Sequence, residues 1–395
     1  MKKTFAAVVS AAALLAATPS LAEEVKVGVL LAFTGPLESL AGSSASGAEL
    51  AIAEVSESGV FLDGSTVTPV RGDSTCIDAG AATTTAERLI TSDGVAAIVG
   101  AMCSGATTAV LQNAALPNGT VMISPSATSP ALSTVEDNGQ FFRTSPSDAR
   151  QGEIIADILQ EKGVSSAALT YTNNDYGKGL ADSIAAAFEK KGGSITINAA
   201  HEDGKGDYSA EVAALASAGG EVLIVAGYLD QGGKGIVQAS LDSGAFDTFI
   251  LPDGMVGESI VEAIGADLDG SYGVYPGSDN SGAETFASMA KDNGFEPGVY
   301  APEAYDAAAL ILLAMQKAGS SDSAAFKDEI LSIANAPGEQ IGPGELAKAL
   351  QIIKDGGEVD YVGASAVELI GPGESAGSFR EIEIDGGEIK TVKYR

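Results

Sequence analysis

Apolar runs of strand length alternate with segments of helical period along most of this chain. The first run, Val25-Lys26-Val27-Gly28-Val29-Leu30-Leu31-Ala32-Phe33, suits a buried parallel strand, and Thr34-Gly35-Pro36 breaks it. A helix fits about Gly42 to Ser58, with Ala48, Ala51, Ile52 and Val55 on one face. Strands are expected at Thr66 to Val70 and Val95 to Val99, with a helix over Ala79 to Thr91 between them. Strand, helix, strand, helix is the pattern of a parallel sheet covered on both faces.

The stretch from Val99 to Pro130 continues this unit and adds chemistry. A helix opens at Ser104, a strand spans Thr120 to Ser124, and a turn follows with Ser124, Ser126, Thr128 and Ser129. The first N–H groups of a helix are unpaired and carry partial positive charge, so Ser104 either caps this helix or offers its hydroxyl to a ligand. Two consecutive strand ends at the carboxyl edge of a parallel sheet are a place where small anions bind. Two ordinary strand-to-helix turns, one capped and one rich in serine, would read the same way.

The pattern then restarts. Phe141 to Pro146 is extended and reads as a crossing segment. Helices fit Ala149 to Lys162, Gly179 to Lys191, Tyr208 to Ala218 and Gly232 to Ser243; strands fit Ala167 to Thr172, Ser194 to Ala199, Glu221 to Ala226 and Thr248 to Leu251. That is a second doubly wound unit. After a short extended segment, Ser271 to Pro276, four helices follow without strands: Gly282 to Asn293, Pro302 to Ala318, Ser323 to Ala334 and Gly344 to Lys354. They must cover a sheet made earlier. The tail from Val359 to Arg395 alternates like two or three antiparallel strands. The expected class is α/β, with two doubly wound parallel-sheet lobes. The expected division is 1–22 as a leader, 23–142 with 275–355 as the first lobe, and 143–274 with 356–395 as the second.

The amino terminus, Met-Lys-Lys and then a small apolar run ending Thr18-Pro19-Ser20-Leu21-Ala22, is a secretory signal peptide with cleavage expected after Ala22. The next residue is Glu23 rather than Cys, so a lipid anchor is not indicated. Lys and Arg total 22 against 53 Asp and Glu, a net charge of −31. Losing Lys2 and Lys3 with the leader makes it 20 − 53 = −33, which repels nucleic acid and anionic lipid. In an exported chain the two cysteines, Cys76 and Cys103, pair by default. The loop closed is worth about 3 kcal/mol in the chain-entropy model. The rival reading, Cys103 as nucleophile, has only His201 to serve as base.

Other catalytic signatures are missing. Gly232-Gly233-Lys234-Gly235 lacks the spacing and final hydroxyl of a phosphate loop, and Gly-x-Gly-x-x-Gly does not follow the first strand. One histidine and a bridged cysteine pair leave no metal cluster, and Asp203, Asp207, Asp267 and Asp269 do not fit a calcium loop. Polar residues do stand at expected strand ends in both halves. Ser104 and Thr128 offer hydroxyls and helix-start N–H groups; Tyr176, Tyr228 and Asp253 offer two phenols and a carboxylate. Facing one another, the two edges would satisfy a zwitterion. Taken singly, Asp253 before Gly254 also suits a plain turn, and Tyr176 a half-buried loop.

Several segments in order resemble a known family: Val27 to Pro36, Gly47-Ala48-Glu49-Leu50-Ala51, Cys76, Cys103-Ser104, Ile123-Ser124-Pro125-Ser126-Ala127-Thr128, Phe142-Arg143-Thr144, Asp175-Tyr176-Gly177-Lys178-Gly179, Ala226-Gly227-Tyr228 and Tyr305-Asp306-Ala307. Together they resemble the leucine/isoleucine/valine-binding group of periplasmic substrate-binding proteins, which serve branched-chain amino acid ABC importers. The resemblance implies a type I fold with a three-segment hinge. It implies that Ser104 and Thr128 hold a ligand carboxylate, that the Ser126 carbonyl helps hold its ammonium, and that Tyr176, Tyr228 and Asp253 close from the second lobe. It also implies the Cys76–Cys103 bridge. Two positions depart from the family: Asp253 where Glu is common, and Leu40 where an aromatic residue often lines the side-chain pocket.

The expectation is therefore a monomeric periplasmic solute-binding protein, not an enzyme and without cofactor or metal. It captures an amino acid, branched-chain or otherwise apolar, and delivers it to an inner-membrane ABC permease, without touching nucleic acid or inserting in the membrane. The alternatives are a periplasmic sensor subunit, a binder of another small carboxylate or amide, and, on different chemistry, a secreted hydrolase.

Overall fold

The structure, a computed structural model, describes residues 22–395; the residues read as the leader lie outside it except Ala22. Ten apolar runs form the strands of two separate sheets. In the first lobe these are β1 (Glu24–Leu31), β2 (Thr66–Asp73), β3 (Ala97–Gly100), β4 (Val121–Ser124) and β5 (Phe141–Arg143), all parallel. In the second they are β6 (Ser166–Thr172), β7 (Ser194–His201), β8 (Val222–Ala226), β9 (Phe249–Leu251) and β10 (Tyr272–Pro276), again parallel. The central strands β3, β4, β8 and β9 are buried along their whole length, as strands covered on both faces must be. The edge strand β7 alternates exposed and half-buried positions.

The tail departs from the expectation. A short strand, β11 (Glu339–Ile341), interrupts the run of helices expected without strands and pairs with β12 (Val359–Tyr361) at the start of the tail. β13 (Leu369–Ile370) and β14 (Glu374–Ser375) then join the edge of the first sheet beside β5. Only β15 (Phe379–Asp385) and β16 (Glu388–Tyr394) reach the second sheet, as an antiparallel hairpin on β10. Each sheet thus has seven strands, ordered β13-β14-β5-β4-β3-β1-β2 and β16-β15-β10-β9-β8-β6-β7. The chain returns to the second lobe after Ser375, some twenty residues later than the boundary at 355.

Helices flank both sheets. α1 (Glu38–Glu57) packs along the long helix Ala301–Ala318, which is apolar nearly all round and buried over most of its length. Gly47 permits the approach, because a Cβ there would collide with the Ala301 carbonyl. The helix expected over Ser323 to Ala334 is broken by a 3₁₀ turn at Lys327–Glu329. Asp306, buried in the long helix, accepts hydrogen bonds from the Tyr361 hydroxyl at 2.7 Å, the Ala364 and Ser365 amides at 2.8 Å each and the Ser365 hydroxyl at 2.6 Å. One carboxylate therefore fixes the segment that leads to the last crossing. Among the described residues, no helix is long and apolar enough to cross a membrane.

Candidate functional site

The carboxyl ends of β3 and β4 are laced together by hydroxyls. Ser124 donates to the Ala101 carbonyl at 2.6 Å, Ser126 to the Met102 carbonyl at 2.8 Å and Thr107 to the Ala101 carbonyl at 3.1 Å. Cys76 and Cys103 are disulfide-bonded, with Cα atoms 5.2 Å apart, so Cys103 is not a free nucleophile. The helix α2 (Ser104–Val110) begins at Ser104, but its N-cap is Cys103 and makes no side-chain capping bond. Instead the Ser104 hydroxyl accepts from the Ser129 amide at 3.1 Å. Of the serine-rich turn, Ser124 and Ser126 are spent on internal bonds and Ser129 donates to the Asp175 carbonyl at 3.1 Å. Thr128 is different: it is buried, and its hydroxyl has no partner.

Arg143, fully buried at the end of β5, holds this turn from behind. Its guanidinium donates to the Ala127 and Ser129 carbonyls at 3.0 and 2.9 Å and to the Ser133 hydroxyl at 2.8 Å, and forms an ion pair with Glu374 on β14. Planar, forked donors suit several acceptors in one plane. The short strand β14, which carries little periodic signal, thus positions the arginine that shapes the serine-rich turn.

The second lobe supplies the opposing wall. Asp253 follows β9 and is completely buried. Its Oδ1 accepts from the Tyr176 hydroxyl at 2.6 Å and the Gly254 amide at 2.8 Å; its Oδ2 accepts from the Tyr300 hydroxyl at 2.7 Å. Tyr176 and Tyr228 stack with centroids 5.1 Å apart and planes 14° from parallel. The Tyr228 hydroxyl receives the Asn174 side-chain amide at 3.3 Å. Gly254 is required: a Cβ there would stand 2.7 Å from both the Gly227 carbonyl and the Tyr176 hydroxyl. Burial, then the nearby Asp253 charge, pushes the Tyr176 phenol well above its usual range, so it stays a neutral donor.

Three more residues of the site escaped the sequence reading, Tyr300 at the start of the first lobe's long helix and Asp148 and Gln151 in the second lobe. Tyr300 sits at φ +68°, a conformation bulky residues rarely adopt, immediately before the long helix. Asp148 opens the helix α3 (Asp148–Glu161), and its amide donates to the Thr128 carbonyl at 2.9 Å. Both oxygens of its completely buried carboxylate lack a partner. Burial drives its proton affinity well up, and the Asp253 charge adds to that; Thr128 and Arg143 pull it down without a hydrogen bond of ordinary geometry. Gln151, one turn along, points its Oε1 at the Asp253 amide, a long 3.5 Å, and leaves its Nε2 unpaired. Asp253 itself is raised by burial and lowered by its phenol donors. The signal in the sequence was Ser147-Asp148, which reads as helix capping and nothing more.

These pieces form one buried cluster across the lobe boundary. Other bonds cross it too: Asp230 accepts from the Ser39 amide at 2.9 Å and donates its own amide to the Pro36 carbonyl at 3.2 Å, while Ser259 of the same lobe donates to Asp230 at 2.8 Å. Leu40 is buried there, its Cδ2 3.1 Å from where a Gly257 Cβ would lie. His201 is outside the cluster. It hydrogen-bonds Thr170 at 2.9 Å, and burial lowers it to about 4.

Chemically, the cluster has both signs of tool. Asp148 and Asp253 are acceptors that two buried like charges cannot both satisfy without a cation. Thr128, Gln151 and the start of α2 are donors. Four polar atoms near Asp253, namely the Thr128 hydroxyl, both Asp148 oxygens and Gln151 Nε2, are buried and unpartnered, where folded proteins leave very few such groups.

Comparison with known proteins agrees with this architecture. Residues 24–342 match the family described as periplasmic binding protein. A Leu/Ile/Val-binding protein homolog 1 of Brucella abortus is 30% identical over 326 residues, 82% of this chain and 86% of its own. The branched-chain amino acid transporter substrate binding protein LivJ of Streptococcus pneumoniae, solved with isoleucine, superposes with a TM-score of 0.77 at 23% identity, covering 94% of this chain and 99% of its own. A solute binding protein of an ABC transporter from R. palustris, solved with 4-hydroxybenzoate, has a TM-score of 0.74 at 18% identity, covering 94% and 97%. Two lobes with a sheet each, crossed three times by the chain, are the type I fold. The chain belongs to the periplasmic binding protein family, among the relatives of its Leu/Ile/Val-binding proteins.

Proposed function

We propose that this chain traps a zwitterionic amino acid with an apolar side chain between its lobes and passes it to an ABC permease. The observation that carries the reading is the cluster of unpartnered atoms around Asp253, two acid acceptors and two neutral donors in one buried place. An α-amino group is a cation with three donors and fits Asp253 and Asp148, with the Ser126 carbonyl alongside. An α-carboxylate fits Ser104, Thr128 and the first amides of α2. Tyr176 and Tyr228 form the lid from the second lobe, and Leu40 borders the side chain. The permease partner comes from the relatives, which are substrate-binding components. The leader supports export to the periplasm with cleavage after Ala22. The chain acts as a monomer that binds and releases without changing its ligand; Cys103 is bridged and His201 lies outside the cluster.

The test is a thermal-shift panel on protein freed of ligand by unfolding and refolding. Leucine, isoleucine and valine raise the melting temperature, because a ligand held by the native state alone stabilises it by mass action. Benzoate and 4-hydroxybenzoate leave it unmoved. The reverse ranking defeats the zwitterion reading and places this chain with binders of simple carboxylates.

A further inference from the structure

A second concavity lies beside the hinge and adjoins the cluster just described, with Ser39, Leu40 and Ser259 at the shared boundary. It is a groove of about 950 Å³ between the start of α1 in the first lobe and the segment Val256–Glu262 in the second, floored by the long helix near Pro302 and Glu303. Its walls are apolar: Leu40, Val256, Phe286 and Val299 are all buried. Its rim is acidic. Glu258, Glu262, Asp279, Glu284 and Glu296 line it, against a single cation, Arg380. Deep within it stands Glu303, 2% exposed, whose Oε2 has no hydrogen-bond partner. A buried carboxyl oxygen with no donor is costly unless something meets it. Burial, with Asp306 one turn along the helix, pushes this carboxyl up to about 8; Tyr300 and Tyr275 also face it, and both phenols are held high.

We propose that this groove is a second binding site, for an elongated organic cation of the polyamine class, with one ammonium on Glu303 and the others along the acidic rim. The spacing favours a chain over an ion. Among the described residues, no three His, Cys, Asp or Glu side chains stand close enough to share a metal ion, so the acids do not converge as metal ligands do. Charges set apart along an apolar wall match ammonium groups separated by methylene runs, whose carbon stems bury while their heads keep polar partners. The groove is lined from both lobes, so its occupant touches both sides of the hinge.

The test is calorimetric titration of spermidine into the chain from residue 23, at physiological ionic strength, with and without saturating leucine. One saturable site is expected, retained when leucine is bound. Glu303→Gln weakens it by about tenfold or more, the loss of a charge-assisted hydrogen bond. Glu258→Gln with Glu262→Gln weakens it as well; these two exposed acids can be changed without disturbing the core, so this variant decides the matter if Glu303→Gln does not fold. Asp355→Asn, an exposed acid outside the groove, leaves it unchanged. Weak unsaturable heats, or binding equal in all variants, would mean general attraction to a chain of charge −33 and overturn the site. Loss of spermidine binding on adding leucine overturns its independence from the amino acid site.

Discussion

Replacing Asp253 by Asn separates binding from folding in a way few substitutions can. The carboxylate is buried beside Asp148, whose two oxygens find no donor. In the proposed liganded form an ammonium meets both acids, and removing one partner of a buried, hydrogen-bonded charge pair costs about 3–5 kcal/mol. The dissociation constant for leucine therefore rises by roughly 10²- to 10³-fold or more. Without ligand the balance differs. The Asn oxygen still accepts from Tyr176 and Gly254, which lie at 2.6 and 2.8 Å from Oδ1 in the wild type, and only the Tyr300 bond must reorient. Repulsion from Asp148 is relieved, so the ligand-free protein keeps its stability to within about 1 kcal/mol. Calorimetric titration with leucine and urea denaturation of the same ligand-free samples read the two effects. An affinity within threefold of wild type refutes the assignment. A stability loss as large as the affinity loss would make Asp253 a structural residue instead.

Three other outcomes follow from the same geometry. Arg143→Met leaves the Ala127 and Ser129 carbonyls and Glu374 without their donor, so it lowers stability by about 3–5 kcal/mol in urea denaturation; adding Glu374→Met returns part of that loss, and no recovery would mean the pair is not coupled. Gly254→Ala drives a methyl against the Tyr176 hydroxyl and the Gly227 carbonyl, which displaces Tyr176 from Asp253 and weakens leucine about tenfold or more in titration; wild-type affinity would show the phenol is free to move. Asp148, Asp253 and Glu303 all hold protons more tightly folded than unfolded. Their contribution to stability is therefore complete below the unfolded carboxylate range near ~4 and is lost as pH rises, with Glu303 the last at about 8. The ligand-free protein should weaken from pH ~4.5 to ~8, while leucine, which needs the acids ionised, binds more tightly over the same interval; a stability that climbs with pH contradicts this.

The parallel strands were legible because buried runs such as Val222–Ala226 and Ala97–Gly100 carry an unbroken apolar signal. The route of the tail was not. β13 and β14 are two residues long, too short for any period, and their membership in the first sheet is set by Arg143 reaching Glu374. In the site, residue type pointed to the chemistry at Asp253 and the serine-rich turn but could not say which hydroxyls are already used. Ser124, Ser126 and Ser129 close bonds within the protein, and Thr128 alone is left over. Asp148 was hidden by its place as the first residue of a helix, where an acid is ordinary. Tyr300 was hidden in a Gly/Pro loop, and only its left-handed backbone and its bond to Asp253 mark it.

The central claim is that one buried cluster reads both ends of a zwitterion. The direct test is titration of the ligand-free protein with three molecules sharing one carbon skeleton: leucine, 4-methylpentanoate, which lacks the amine, and 3-methylbutylamine, which lacks the carboxylate. Leucine binds, and each truncated analogue loses at least about a hundredfold, since each leaves buried charge or donors unmet. Binding of 4-methylpentanoate as tight as that of leucine would show that Asp148 and Asp253 do not meet an ammonium and would contradict the account.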